Sequence, residues 1–164
     1  MRVHYVGKAR EARTPRQCIS CGHEVQPGES YKWAEPRYEP VKIWCHSCLP
    51  RPSQLTSSKL SVVYAAQEDF SSEIERLDNE TDIGAALASV AGAAEEVAQE
   101  YQDSIDAMPE GLQEGPTGEE LREKIDALEE YAQDLQAWSS DADKDDDLES
   151  MRSSAQDVVD SLDL

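Results

Sequence analysis

The chain has 164 residues, 38% of them apolar, and sets 35 acidic against 15 basic side chains for a formal net charge of −20. That length allows one ordinary domain or two small ones, and no stretch approaches the ~20 apolar residues of a membrane span. The opening MRVHYVGKAR lacks the apolar run of a signal peptide, so the expected location is intracellular, in cytoplasm. Charge is unevenly divided: residues 1–60 carry ten Lys or Arg and five acids, residues 61–164 five and thirty.

In chain order the first feature is a basic arm, Lys8, Arg10, Arg13 and Arg16. It leads into Cys18 and Cys21, and a second pair, Cys45 and Cys48, follows after 23 residues. Two residues between thiolates let both sulfurs face one ion while turn amides point at them, and Gly22 supplies the turn's free dihedral. Four thiolates in tetrahedral array suit structural Zn2+, and a closed shell of four leaves no position for a catalytic water. In a reducing compartment such pairs favour metal over a disulfide. A redox pair would need a βαβ setting that this sequence does not show. His46 is an alternative ligand to Cys45.

Between the pairs, Ser30 to Ala34 and Val41 to Trp44 read as two short strands, with turns at Pro27-Gly28 and Pro36 to Pro40. The expected product is a small zinc ribbon or treble-clef-like module with one short β hairpin, spanning residues 1–52. Tyr31, Lys32, Trp33, Arg37, Tyr38, Lys42 and Trp44 interleave rings with cations, the composition that serves unstacked bases and phosphates. With the basic arm they form the expected nucleic-acid-binding set, although Trp33 and Trp44 are equally suited to packing over the metal site. The arm could also dock on the chain's own acidic helices.

C-x-x-C-G, the Pro-Gly-Glu-x-Tyr turn, the aromatic-basic strand and a Trp just before the last C-x-x-C resemble the zinc finger of poly(ADP-ribose) polymerases over residues 16–49. Cys45 stands where that family has histidine, and the loop between pairs is shorter. The resemblance implies contact with broken DNA. Continued through RPSQLTSSKLSVVYAAQEDF at 51–70, the chain also resembles small proteins of tailed viruses of haloarchaea and actinobacteria, which couple such a finger to acidic helices. That likeness implies a viral accessory protein within the host cell or associated with the virion.

Beyond Pro52 the hydrophobic period turns helical. Leu60, Val63, Gln67, Phe70, Ile74 and Leu77 form one stripe, with Gln67 as its polar interruption. Ile83, Leu87, Val90, Ala94, Val97, Tyr101, Ile105 and Met108 form a second. A loop at 109–118 follows, and a capping box at Thr117 and Glu120 opens a third stripe of Leu121, Ile125, Leu128, Ala132, Leu135 and Trp138. Leu148, Met151, Ala155, Val158 and Leu162 make a weaker fourth. The predicted helices are 57–78, 82–108, 118–139 and 147–162. Asp141, Asp143 and Asp145 lack the Gly and closing Glu of a calcium loop.

Each stripe is two residues in seven wide, which predicts an antiparallel bundle or coiled-coil hairpin over 53–164, closed on itself or by a second chain. Ala85, Ala86, Ala88, Ala91, Gly92 and Ala93 thin the second helix for a close neighbour.

Three explanations compete for the acidic half: adaptation to molar salt, where the Debye length falls to about 3 Å, mimicry of DNA, or an acidic coiled-coil tip that enters a partner's channel. No Gly-rich phosphate loop and no nucleophile beside a base are present, so a non-enzyme is expected. Its zinc module would contact nucleic acid or a nucleic-acid-processing protein, and its acidic helices would mediate protein association or self-association, with no membrane and no small-molecule substrate. The alternatives are a helical assembly protein in which zinc only stabilises the fold, and an acidic inhibitor that mimics DNA.

Overall fold

The computed structural model of the chain describes residues 3–6, 15–35, 40–56, 58–141 and 147–162. They belong to two compact units, Met1–Ser61 and Val62–Leu164. The first unit outruns the expected boundary at residue 52 because the 3-10 turn Pro52–Leu55 folds back on it. There the Trp44 indole N–H donates to Gln54 Oε1 at 2.7 Å, the Lys42 ammonium donates to the Gln54 carbonyl at 2.9 Å, and Ser53 is buried.

The first unit contains β1 (Val3–Val6), β2 (Arg16–Gln17), β3 (Glu24–Val25), β4 (Tyr31–Ala34) and β5 (Lys42–Cys45). β1, β4 and β5 form an antiparallel sheet in that order, and β2 pairs with β3 separately. The expected hairpin is β4–β5, in a register that sets Tyr31 opposite Cys45 and Lys32 opposite Trp44. β1 and the β2–β3 pair are additions to it. Strand alternation turns Lys32 and Ala34 of β4 inward, whereas Ile43, Trp44 and Cys45 of β5 are buried in succession, as on a strand covered on both faces. Among the described residues the core cluster is Cys18, Val25, Ala34, Ile43, Trp44 and Cys45.

The second unit contains α1 (Ser61–Glu73), extended by a 3-10 turn at Ile74–Arg76, then α2 (Glu80–Asp106), the single turn α3 (Glu110–Gln113), α4 (Pro116–Asp141) and α5 (Leu148–Val159). Asn79, just past the predicted first helix, is the N-cap of α2, its Oδ1 accepting from the Asp82 amide at 2.9 Å. The anticipated capping box at Thr117 does not open α4. Helix starts at Pro116, where a missing N–H leaves nothing unpaired, and Thr117 lies within the first turn. The segment expected as plain loop contains α3, packed so closely on α4 that a Cβ at Gly118 would collide with the Gln113 backbone.

α2 and α4 are the main packing pair, and the Gln136 amide donating to Glu95 at 2.8 Å fits an antiparallel arrangement. α2 buries the expected stripe from Ile83 to Ile105 and, beside it, Ala91 and Ala98. Its face is therefore wider than two residues in seven, because α2 packs against both α4 and α5. Of the small residues expected to admit a neighbour only Ala91 is buried, and Ala85, Ala88 and Gly92 face solvent. No helix among the described residues is long and apolar enough to cross a membrane.

α5 corrects one position. It buries Met151, Ala155 and Val159 in steps of four, where Val158 was expected in place of Val159. The Val159 carbonyl accepts from the Tyr131 hydroxyl at 2.8 Å and from the Gln67 amide at 2.9 Å, and the same amide donates to the Tyr131 oxygen at 3.0 Å. The polar interruption in the first stripe is thus the residue that ties α1 to α4 and α5. Val159→Ala is expected to cost about 2 kcal/mol of stability and Val158→Ala well under about 1 kcal/mol, read as urea midpoints by far-ultraviolet circular dichroism.

Candidate metal centre

The first knuckle leaves β2 at Cys18 and turns back by Gly22. The Cys18 amide donates to the His23 carbonyl at 2.8 Å and the Gly22 amide to the Cys18 carbonyl at 2.9 Å. Gly22 adopts φ 71°, a left-handed conformation that costs glycine little. The Ile19 amide donates to the Ile43 carbonyl at 2.9 Å, which stitches this knuckle to β5. β5 ends in Cys45, and a turn through His46 and Ser47 delivers Cys48 to the same place.

The result is one cluster, in which the four Sγ atoms of Cys18, Cys21, Cys45 and Cys48 lie within 4.8 Å of one another. Cys21 Sγ and Cys45 Sγ stand 3.7 Å apart. All four are free cysteines; Cys18 and Cys45 are buried, Cys48 is half-buried and Cys21 is exposed. Four soft donors converging in this way can hold a metal ion. His46 is not among them: it is exposed, with its Nδ1 3.2 Å from the Ser47 hydroxyl, and Cys45 fills the ligand position.

The ion-free thiols are unequal. Burial pushes the Cys18 thiol up, but hydrogen bonds from the backbone of Cys45, Cys21 and Ser20 outweigh it and bring Cys18 down to about 6. The Cys48 thiol, placed among the sulfurs of Cys21 and Cys45, is pushed up to about 12. Cys21 is also raised: the backbone hydrogen bond at His23 and the Cys48 side chain favour its thiolate, and the Cys18 side chain, burial and Cys45 together prevail against them.

The described members of the expected nucleic-acid set take different places in the fold. Arg16 is exposed on β2, and Tyr31 and Trp33 are half-buried. Lys32 is 9% exposed, its ammonium donating to the carbonyls of His46 at 2.8 Å and Cys48 at 2.5 Å. Lys42 is held on Gln54, and Trp44 is wholly interior. Lys8, Arg10, Arg13, Arg37 and Tyr38 lie outside the described residues. Sequence reasoning missed Lys32 as a support of the second knuckle. The signal was its place two residues before Ala34 on the inward side of a strand.

No family model, no curated protein and no solved structure matches the chain.

At pH 7 a metal ion must displace protons from Cys21 and Cys48, whereas Cys18 is already largely thiolate. Affinity therefore rises with pH, by roughly a hundredfold or more per unit near pH 7, and the dependence steepens below about pH 6 as Cys18 also protonates. Competitive titration with a chromogenic chelator across pH 5.5–8 checks this; a slope near zero would contradict it.

Proposed function

We propose that the chain is a non-enzymatic binding protein in which a structural zinc ion builds a small finger and the acidic helical unit associates with another protein. The observation that carries the zinc assignment is the cluster itself. Zinc–sulfur bonds of ~2.3 Å in a tetrahedron put neighbouring sulfurs about 3.8 Å apart, and the Cys21–Cys45 separation is 3.7 Å. Four thiolates complete that shell, so the ion would stabilise the finger and not activate water.

Two versions of the reading differ in what the finger touches. With the ammonium groups of Lys32 and Lys42 engaged on backbone carbonyls and Trp44 inside, these three members of the basic-aromatic set serve the fold. That favours zinc as a builder of the module, with binding left to the helices. The excess of ten basic over five acidic residues in the first sixty keeps nucleic-acid contact as the second reading. An accessory role in a virus, implied by the likeness to tailed-virus proteins, is compatible with either.

The test uses immobilised, zinc-loaded full chain and host lysate at the host's own salt, with and without nuclease. A defined protein retained after nuclease is the expected result. Recovery of nucleic acid alone, with nothing left after nuclease, would move the function to the finger. Metal analysis of the same preparation is expected to give one zinc per chain.

A further inference from the structure

The two knuckles are not equivalent, and the difference lies beside Lys32. Backbone of Cys45, Cys21 and Ser20 favours the Cys18 thiolate in the first, and that of His23, two residues past Cys21, favours the Cys21 thiolate. The residue two past Cys48 is Pro50, which has no N–H to give. The second knuckle is therefore one amide donor short at the position where the first has His23. On its carbonyl side stands a buried cation: the Lys32 ammonium donates to the carbonyls of His46 and Cys48 at 2.8 and 2.5 Å.

Those contacts act in two ways. In a trans peptide the C=O and N–H point in opposite directions, so carbonyls held on the lysine turn the Ser47 and Leu49 amides away from it. A full positive charge, itself 9% exposed, is also held on the carbonyl of a ligand residue, Cys48, in a centre that becomes doubly negative when four thiolates bind a divalent ion.

We propose that Lys32 is a positioning residue of the metal centre, a resident counter-charge that fixes the second knuckle and substitutes for the amide that Pro50 cannot supply. The inference rests on the four cysteines binding a metal, and it assigns Lys32 to the centre instead of to nucleic acid.

The test is Zn2+ affinity by competition, together with the thiolate-to-metal charge-transfer band of the Co2+ form, on the full chain. Lys32→Met is expected to weaken Zn2+ binding by roughly 10- to 100-fold, the usual effect of removing a ligand's supporting partner. Its Co2+ band should move to lower energy, because thiolates without the nearby cation give up electrons more readily. Lys32→Arg, which keeps the charge, should recover most of the affinity and the band position. Pro50→Ala restores an N–H at the empty position and should move the band to higher energy, and in combination with Lys32→Met it should return part of the lost affinity. Lys32→Met binding Zn2+ within about twofold of the parent with an unmoved band would overturn it, as would a Pro50→Ala band that does not shift. A parent chain that binds neither metal would instead refute the metal reading beneath it.

Discussion

Everything in the first unit depends on bringing four sulfurs to one point. Among the described residues its core cluster has six buried members, and two of them, Cys18 and Cys45, belong to the thiol cluster. A module of this size buries too little apolar surface to offset the entropy of ordering its chain. A bound structural zinc contributes on the order of 10 kcal/mol, which exists only when the ligands are assembled. The short strands, the stitch from Ile19 to Ile43 and the folding back of Gln54 onto Trp44 all place or hold the segments that carry those sulfurs. In this unit the thiol cluster and the hydrophobic core share Cys18 and Cys45.

The second unit is stabilised by a different balance. α2, α4 and α5 bury continuous aliphatic faces, so the helices have a core of their own. Against it stands the mutual repulsion of a segment with thirty acids and five bases. That repulsion acts mainly at the surface, where salt screens it, while the buried polar groups are fully paired: among the described residues no buried side-chain nitrogen or oxygen lacks a partner. The Gln67, Tyr131 and Val159 network shows how specificity is obtained inside an otherwise apolar bundle. It fixes which face of α5 turns inward, and burial pushes the Tyr131 phenol up, keeping it a hydrogen-bond donor.

Legibility in the sequence followed the strength of the local signal. The cysteine spacing disclosed the whole cluster because C-x-x-C fixes sulfur geometry within a few bonds. Helical stripes such as Ile83 to Ile105 were readable because the period repeats over many turns. What stayed hidden depended on contacts between distant segments. β1 pairs with β4 across more than twenty residues, and nothing in its four residues announces a partner. Val159 replaced Val158 because a tyrosine and a glutamine from other helices select its carbonyl. Lys32 looked like a surface cation by type, and only the fold of the second knuckle gives its charge an inward destination. The starts of α2 and α4 were each placed two residues late: Asn79, a polar residue between two helices, can serve either one, and Thr117 lies inside the first turn that Pro116 opens.

The central claim is that the metal cluster builds the first unit and the helices stand without it. Hydrogen exchange read by mass spectrometry on the full, zinc-loaded chain, before and after a strong chelator, tests it most directly. Chelation is expected to abolish amide protection in β2, β3, β4 and β5 and to leave α2 and α4 protected. Protection of those strands that persists after the metal has been stripped would contradict it.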